Sequence, residues 1–285
     1  MINFKKYWQA LRLSEVIMMS GFFIIGSFFA IDEFNYSTLL KFTGLSILSI
    51  FIVLSVYSFN AAAGKSQDIN NLRLKNLKNL SPKVFYIVSL IFSLLSLILS
   101  YILNKYAILL CLTIIVLWIF YSNPKNGLKQ KAIYGTLVHF VGQILHFTIA
   151  WIIFSAFTLE TILIALFFSI AFSSGHIMHE IIDYDADKKS GANTNPIKFG
   201  YKNSYISIVL LVIFNSFFWA SLFAFTVIDF NPFITFFFPS ILHLLILISF
   251  IKRYKSNIFV IRFLYRIVYF VGGISYIIIK VISVN

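Results

Sequence analysis

Four acidic residues crowded into a short stretch are the part of this 285-residue sequence best equipped for chemistry. They are Glu180, Asp183, Asp185 and Asp187. Asp183 and Asp187 are four positions apart, so on a helix they share one face, and Glu180 precedes them by about one turn. Because like charges this close repel, a cation, nearby lysines or protonation must neutralise them. An oxygen-rich pocket of this kind suits a hard cation such as Mg²⁺, with diphosphate oxygens completing its shell, although a solvated helix end is the simpler alternative.

The residues after this cluster predict where its helix ends. Lys188 and Lys189 come next, and Gly191 and Pro196 then favour a helix end and a loop that folds back. We therefore expect the carboxylates to lie at the end of a helix, close to a returning loop.

A second polar segment runs from Asn60 to Arg73 and includes Gly64, Lys65 and Asp68. Asn60 and Asp68 are eight positions apart, about two helical turns, so on a helix they also share a face. One amide, one carboxylate and two cations could hold a phosphate and its metal. A polar loop rich in basic residues explains the same pattern equally well.

A third segment, Tyr121-Ser-Asn-Pro124, is followed by Lys125 and Lys129. Lysine binds phosphate as a point charge, so this segment is a candidate phosphate site. The alternative is a basic loop with no ligand.

The composition indicates which elements must position these residues. The chain is 60% hydrophobic and only 12% charged, with a mean hydropathy of +0.90, whereas soluble domains carry about 25% charged residues. Its apolar runs are long enough to cross a bilayer, and their continuous character favours helices over a barrel. We therefore predict an all-α polytopic membrane protein, with residues 1–285 forming a single transmembrane domain and no removable leader peptide at the N-terminus.

Nine apolar segments are predicted to span the membrane around a central cavity. They cover residues 16–31, 39–59, 84–103, 106–122, 133–157, 161–180, 204–228, 232–251 and 259–280. Of the 23 lysines and arginines, all but Lys41, Lys105 and Lys280 then fall on one side, which the positive-inside rule makes cytoplasmic, together with the N-terminus. The net charge of +13 is explained by this topology and by anionic lipid, not by nucleic acid. In a bacterium the location would be the plasma or inner membrane.

Several polar residues fall inside these spans or at their edges. His139, Gln143 and His146 are at i, i+4 and i+7, so they line one face of the fifth span. Polar groups at this depth usually face a cavity or a partner helix, so substrate contact, proton transfer and helix–helix hydrogen bonding are all open. His176 and His179 lie one turn apart, but five histidines in the chain are too few for a histidine-rich metal site. The single cysteine, Cys111, cannot form an internal disulfide.

Together these motifs resemble the UbiA superfamily of intramembrane prenyltransferases, whose members have nine helices and two aspartate-rich motifs, after helices two and six. The run that looks like the second motif and its sequel is Asp183-x-x-x-Asp187-x-x-x-Gly191, Thr194-x-Pro196 and Phe199-Gly200. Tyr121-Ser-Asn-Pro with Leu128-Lys129 is similar to the segment after the family's fourth helix.

The first motif departs from the family's pattern. Asn60 and Asp68 match it, but Gly64 replaces the middle aspartate and Ala61 provides no carboxylate. This departure leaves three outcomes open: a reduced metal set, an unusual donor or a cyclisation reaction, or lost catalysis.

The resemblance implies Mg²⁺-dependent transfer of a prenyl group from a prenyl diphosphate to an aromatic, quinone-precursor or other lipid-precursor acceptor at the cytoplasmic side. The implied metal and catalytic residues are Asn60, Asp68, Asp183 and Asp187. The implied diphosphate-binding residues are Arg73, Tyr121, Lys125 and Lys129. The acceptor and cavity residues are His139, Gln143, His146, His179 and Glu180. A terpene cyclase or a degenerate relative is the first alternative, and a transporter the second, although a transporter would place its ionisable residues nearer the bilayer midplane.

Overall fold

The computed structural model of the chain describes residues 13–64 and 81–284. These residues form nine α-helices and a short 3₁₀ turn, Leu128–Gln130. The helices are α1 Leu13–Ala30, α2 Tyr36–Ala63, α3 Pro82–Leu103, α4 Ala107–Ser122, α5 Tyr134–Phe154, α6 Leu159–Ser190, α7 Asn195–Ala224, α8 Phe230–Ser249 and α9 Tyr254–Val284. The prediction of an all-α fold is confirmed.

Seven of these helices, α2, α3 and α5 to α9, are long and apolar enough to cross a membrane. The other two contribute shorter apolar stretches, Met19–Ala30 and Ala107–Ser122. Large apolar side chains such as Ile98, Phe217 and Phe263 are exposed on the outer faces of the bundle, as expected for helices in lipid. The predicted count of nine spans stays a prediction, because two of the helices are short.

Helix α6 continues well past the predicted span end at residue 180. It begins with a capping box between Thr158 and Thr161 and ends at Gly191, whose φ of 76° is a left-handed conformation that glycine adopts without strain. The Gly191 amide donates to the carbonyls of Asp187 and Lys188. The glycine therefore ends the helix as predicted, and the aspartates lie on its last turns.

Helix α7 begins at Asn195, before the predicted membrane span, which starts at residue 204. Pro196 occupies its first turn, where a missing amide hydrogen has no cost. The helix is kinked at Gly200, whose φ is 82°. The chain therefore turns directly from the end of α6 into α7, which keeps the intervening loop close to the aspartates.

Aromatic packing fills one buried region of the bundle. Phe167 and Trp219 approach to 4.1 Å between ring centroids, and Phe168 meets Phe236 edge-to-face at 4.9 Å. Side-chain packing of this kind stabilises helix association in lipid, where burial from water contributes little. This aromatic cluster ties α6, α7 and α8 together.

The link between α4 and α5 pairs with the link between α6 and α7. The Asn193 amide donates to the Gln130 carbonyl at 2.8 Å, and Lys131 and Asn193 form an isolated parallel bridge. These contacts bring the two loops that carry the predicted motifs to the same end of the bundle.

Candidate active site

The two aspartates at the end of α6 are held by neighbours on and after the helix. The Thr194 hydroxyl donates to Asp187 Oδ2 at 3.2 Å, and His179 Nε2 lies 3.5 Å from Asp183 Oδ2. Thr194 belongs to the loop that returns after Gly191. The carboxylates are therefore oriented by the helix and by this loop.

Asn60, on the last turn of α2, contacts the predicted phosphate segment. Its Oδ1 accepts hydrogen bonds from the Ser122 hydroxyl at 3.2 Å and from the Lys129 ammonium at 3.4 Å. Gly127 sits in the tight turn between these two donors, where a Cβ would lie 2.5 Å from the Asn123 carbonyl oxygen. The turn therefore depends on glycine, and it places Lys129 against Asn60.

A chain of contacts connects Asn60 with Asp187. Lys129 reaches Asn60, the next residue Gln130 accepts from Asn193, and Thr194 then donates to Asp187. Asn60 of the first aspartate-rich motif and Asp187 of the second are therefore both connected to one segment, residues 128–131.

A buried polar network lies on the membrane side of the aspartates. Asn195 Nδ2 donates to Glu180 Oε2 at 2.6 Å and to Thr136 Oγ1 at 3.0 Å, while Asn195 Oδ1 accepts from the Ile133 amide at 2.8 Å. His176 Nδ1 lies 3.2 Å from Thr136 Oγ1 and 3.9 Å from Glu180 Oε1. Glu180 is only 5% exposed, so its carboxyl group depends on this network for hydrogen bonds.

His139 forms the wall between that network and the phosphate segment. Its Nε2 lies 3.1 Å from the Tyr121 hydroxyl, its ring centroid is 4.0 Å from that of His176, and Trp118 packs edge-on at 4.8 Å. Tyr121, predicted as a diphosphate-binding residue, thus contacts a predicted cavity residue.

Gln143 and His146 lie deeper along the same helix and are fully buried. Within the part of the chain that the structure describes, neither the amide of Gln143 nor either ring nitrogen of His146 has a hydrogen-bond partner, and the same holds for Trp118 Nε1. Phe23 packs on the His146 ring with centroids 4.9 Å apart. Trp118 and His146 line a small cavity, whose other lining residues are Met19, Val53, Val56 and Tyr57.

A model of the UbiA prenyltransferase family matches residues 13–267. The chain belongs to the UbiA prenyltransferase family. The predicted resemblance is therefore confirmed. No curated protein matches the chain by sequence.

Solved structures of UbiA proteins share this fold. A UbiA homologue from Archaeoglobus fulgidus bound to DMAPP and Mg²⁺ matches with a TM-score of 0.75 and 19% identity, covering 94% of this chain and 98% of that one. The same homologue bound to GPP and Mg²⁺ gives 0.72 and 19%, covering 94% and 99%. A structure described for digeranylgeranylglyceryl phosphate synthase gives 0.74 and 19%, covering 98% of each chain. At these identities the similarity establishes the UbiA fold.

The donor atoms on the last turns of α6 and α2 are of the type that hard cations prefer. Asp183 and Asp187 supply carboxylate oxygens, and Asn60 supplies an amide oxygen. Among the described residues, no group of three or more His, Cys, Asp and Glu side chains is arranged to hold a metal. These carboxylate and amide oxygens therefore fit a cation that takes few ligands from the described residues and the rest from phosphate or water.

Of the three remaining predicted residues, the structure describes one, Lys125. Asp68 and Arg73 lie outside the described residues. Lys125 is exposed in the turn after α4, and its ammonium makes no hydrogen bond or ion pair within the described ranges. Lys129, not Lys125, is therefore the lysine of this UbiA chain that contacts other candidate site residues.

Sequence reasoning missed Asn195 and Arg262. Asn195 lies within the Thr194-x-Pro196 motif, which marked the position without indicating that its amide joins α5 to α6. Arg262, counted only as a topological charge, lies near enough to His176 to interact with it electrostatically. Its position near the N-terminal end of α9 was the available signal.

Proposed function

We propose that this UbiA protein transfers a prenyl group from a prenyl diphosphate to an acceptor at the cytoplasmic face of the membrane, in an Mg²⁺-dependent reaction. The observation that carries the proposal is the contact chain that links Asn60, through Lys129 and Asn193, to Asp187. It brings the Asn60 amide of the first motif and the Asp187 carboxylate of the second to the segment that carries the Lys129 ammonium. The Archaeoglobus relatives bound to DMAPP or GPP with Mg²⁺ support the same donor class.

The donor's diphosphate would bind at the inner ends of α2 and α6. Asp183, Asp187 and Asn60 would hold Mg²⁺, together with Asp68. Bound Mg²⁺ supplies positive charge to the diphosphate oxygens as their negative charge develops. The cations and the hydroxyl offered to the diphosphate would be those of Arg73, Lys125, Lys129 and Tyr121. Of the three that the structure describes, Lys129 and Tyr121 contact other candidate site residues, and we propose that they make the principal contacts.

The reaction exchanges one bond for another. The bond between the allylic carbon and the diphosphate oxygen breaks, and its electron pair leaves with diphosphate. The acceptor's nucleophilic atom then bonds to the allylic carbon and loses a proton. Aromatic rings can stabilise the intervening carbocation through their π faces, and Tyr121, Trp118 and His139 form an aromatic wall beside the proposed diphosphate site.

We propose that the acceptor binds deeper, against the polar face of α5 and the adjoining part of α6. This region comprises the residues predicted for the acceptor or cavity, namely His139, Gln143, His146, His179 and Glu180. The hydrogen bond from Asn195 fixes one oxygen of Glu180, and His139 lies between Tyr121 and His176. The acceptor would therefore meet a preorganised surface.

Gly64, which replaces an expected aspartate, accounts for a smaller set of carboxylates at the first motif. Gly64 ends α2, with its amide donating to the Asn60 carbonyl at 2.8 Å. With no carboxylate at this position, we propose that the phosphate oxygens and Asn60 complete the cation's shell. The reaction would then need higher Mg²⁺ concentrations than in a relative with the full motif.

Turnover in lipid nanodiscs tests the function. The full-length protein is supplied with labelled dimethylallyl or geranyl diphosphate and a panel of aromatic and lipid acceptors, with and without Mg²⁺. We expect Mg²⁺-dependent prenylation and diphosphate release, and Asp187→Asn should reduce kcat/KM by at least about a hundredfold. Asp185→Asn makes the same charge change at an exposed neighbour and should stay near wild type. No diphosphate release with any acceptor, or an unchanged Asp187→Asn, would contradict the proposal.

A further inference from the structure

Five polar atoms at one place inside the bundle have no hydrogen-bond partner among the described residues. They are both amide atoms of Gln143, both ring nitrogens of His146, and Trp118 Nε1. Gln143 is 0% and His146 2% exposed. In a bilayer an unsatisfied polar group costs several kcal/mol, since no water is available to it. Trp118 and His146 also line a cavity, which His243, equally without a partner in the described chain, does not. They therefore indicate a ligand that carries a matching polar group.

A small cavity of about 10 Å³ offers a place for a single polar group of that ligand. Trp118 and His146 both line it, and the other lining side chains are Met19, Val53, Val56 and Tyr57. The cavity lies about one helical turn inward of the proposed diphosphate site, because Tyr57 precedes Asn60 on α2 and Trp118 precedes Ser122 on α4.

The proposed donor cannot satisfy these atoms. A prenyl chain is a hydrocarbon, so it can neither donate nor accept a hydrogen bond. Given the proposed function, we assign the matching polar group to the acceptor.

The lining also limits the charge of that group. No residue that lines the cavity carries a formal charge when histidine is neutral, so a carboxylate or phosphate entering it would lose its hydration without gaining a cation. That desolvation is far more costly than the burial of a hydroxyl that makes hydrogen bonds. The indole N–H of Trp118 donates, and the His146 ring can both donate and accept, which matches a hydroxyl or carbonyl group.

We propose that the cavity at Trp118 and His146 binds a neutral hydroxyl or carbonyl group of the prenyl acceptor, and that it selects neutral acceptors over anionic ones. This inference rests on the proposed function and makes His146 a specificity-determining residue. Phe23 on α1 packs against the His146 ring, with the two ring planes tilted by 36°.

Paired acceptors test the selection by charge. The full-length protein in nanodiscs, with labelled geranyl diphosphate and Mg²⁺, receives hydroquinone or 4-hydroxybenzoate, and a monoalkylglycerol or its phosphate. We expect the neutral member of the productive pair to have a kcat/KM at least about tenfold higher. Reaction of the hydroquinone pair would indicate an aromatic acceptor, and reaction of the monoalkylglycerol pair would indicate a lipid acceptor. Preference for the anionic member, or no reaction of either neutral acceptor while donor still binds, would overturn the proposal.

Variants test the residues. His146→Phe should raise the acceptor KM about tenfold, the loss expected for one or two hydrogen bonds, and leave the donor KM unchanged, while His146→Gln should retain much of the wild-type value. The matched control is His243→Phe, because His243 is also a fully buried histidine whose ring nitrogens lack partners in the described chain, but it does not line this cavity. An unchanged acceptor KM in His146→Phe would mean that the cavity holds water only. An equal rise in His243→Phe would mean a general loss of packing, and either result overturns the proposal.

Donor binding separates this inference from the proposed function. Mg²⁺-dependent binding of labelled geranyl diphosphate is measured on the same samples without acceptor. If wild type binds no donor, the proposed function fails. If donor binds and is consumed but acceptor charge and His146 have no effect, only the neutral-acceptor site fails.

Discussion

The ammonium of Lys129 donates a hydrogen bond to the side-chain oxygen of Asn60 at 3.4 Å. This contact joins the last turn of α2 to the turn before α5, two parts of the chain that the sequence separates by 69 positions. The Ser122 hydroxyl donates to the same oxygen at 3.2 Å. Asn60 therefore holds a positive charge in place at the end of the bundle where the α6 aspartates lie.

Replacing Lys129 with glutamine tests whether that charge acts on the diphosphate. Lys129→Gln removes the charge but keeps a donor for Asn60, so kcat/KM for the prenyl diphosphate should fall about tenfold or more, with little loss of stability. Steady-state kinetics with varied donor measure the change. Lys105→Gln, an exposed lysine in the turn between α3 and α4, is the matched control. Equal kinetics for the two variants would argue against a role for Lys129.

Gly127→Ala tests the turn that positions Lys129. A Cβ at this residue would lie 2.5 Å from the Asn123 carbonyl oxygen and 2.8 Å from that of Tyr121, so the turn must open. We expect the KM for the prenyl diphosphate donor to rise about tenfold, because the Lys129 ammonium would be displaced. Gly21→Ala is the control, since a Cβ there meets nothing within 4 Å. A Gly127→Ala variant with wild-type kinetics would show that the position of Lys129 does not depend on this turn.

The helices and part of the site could be predicted from the sequence because both depend on local patterns. Hydropathy over about 20 residues indicates helices in a membrane, and the i, i+4 spacing of Asp183 and Asp187 places them on one face of whichever helix carries them. The predicted spans are shorter than α6 and α7 because hydropathy marks the apolar span, while Gly191 and Pro196 mark where the helices end and begin.

The Asn195 network could not be predicted, because it depends on tertiary packing. Asn195 contacts Glu180 and Thr136, which are 15 and 59 positions away, and no periodic pattern connects three residues on separate helices. That the His146 ring nitrogens lack hydrogen-bond partners in the described chain could not be predicted either. Sequence spacing shows which residues share a helix face, but not which side chains of other helices contact them.

Asn195→Ala should destabilise the protein. It leaves the buried Glu180 Oε2, Thr136 and the Ile133 amide without a shared partner, so we expect a loss of about 1–3 kcal/mol in the free energy of unfolding. Denaturation in detergent micelles, followed by fluorescence, measures this loss. Asn203→Ala is the control, because Asn203 is exposed and donates only to a backbone carbonyl in its own helix. If the double variant Asn195→Ala with Glu180→Leu is no more stable than Asn195→Ala alone, the unpaired carboxyl group is not the cause.

Thr194→Val tests how Asp187 is oriented. The substitution removes the hydroxyl that donates to Asp187 Oδ2 and keeps the side-chain shape. Residues that orient metal ligands typically change metal affinity by about 10–100-fold, so the Mg²⁺ concentration for half-maximal activity should rise within that range. Thr194→Ser keeps the hydroxyl and should behave as wild type. If Thr194→Val and Thr194→Ser need the same Mg²⁺ concentration for half-maximal activity, the Thr194 hydroxyl does not affect the metal site.

Cysteine labelling tests whether the short helix α4 crosses the membrane. Its 16 residues span about 24 Å, less than the roughly 30 Å of a hydrocarbon core. Exposed Lys105 precedes this helix and exposed Lys125 follows it. Because basic residues collect at the end that carries Lys125, and because a short span can be accommodated by local thinning of the bilayer, we expect α4 to cross. In a Cys111→Ala background, an impermeant thiol reagent should label Lys105→Cys from outside intact cells, and Lys125→Cys only after permeabilisation. Labelling of both from one side would mean that α4 does not span the membrane, and the predicted nine-span topology with a cytoplasmic N-terminus would then be wrong.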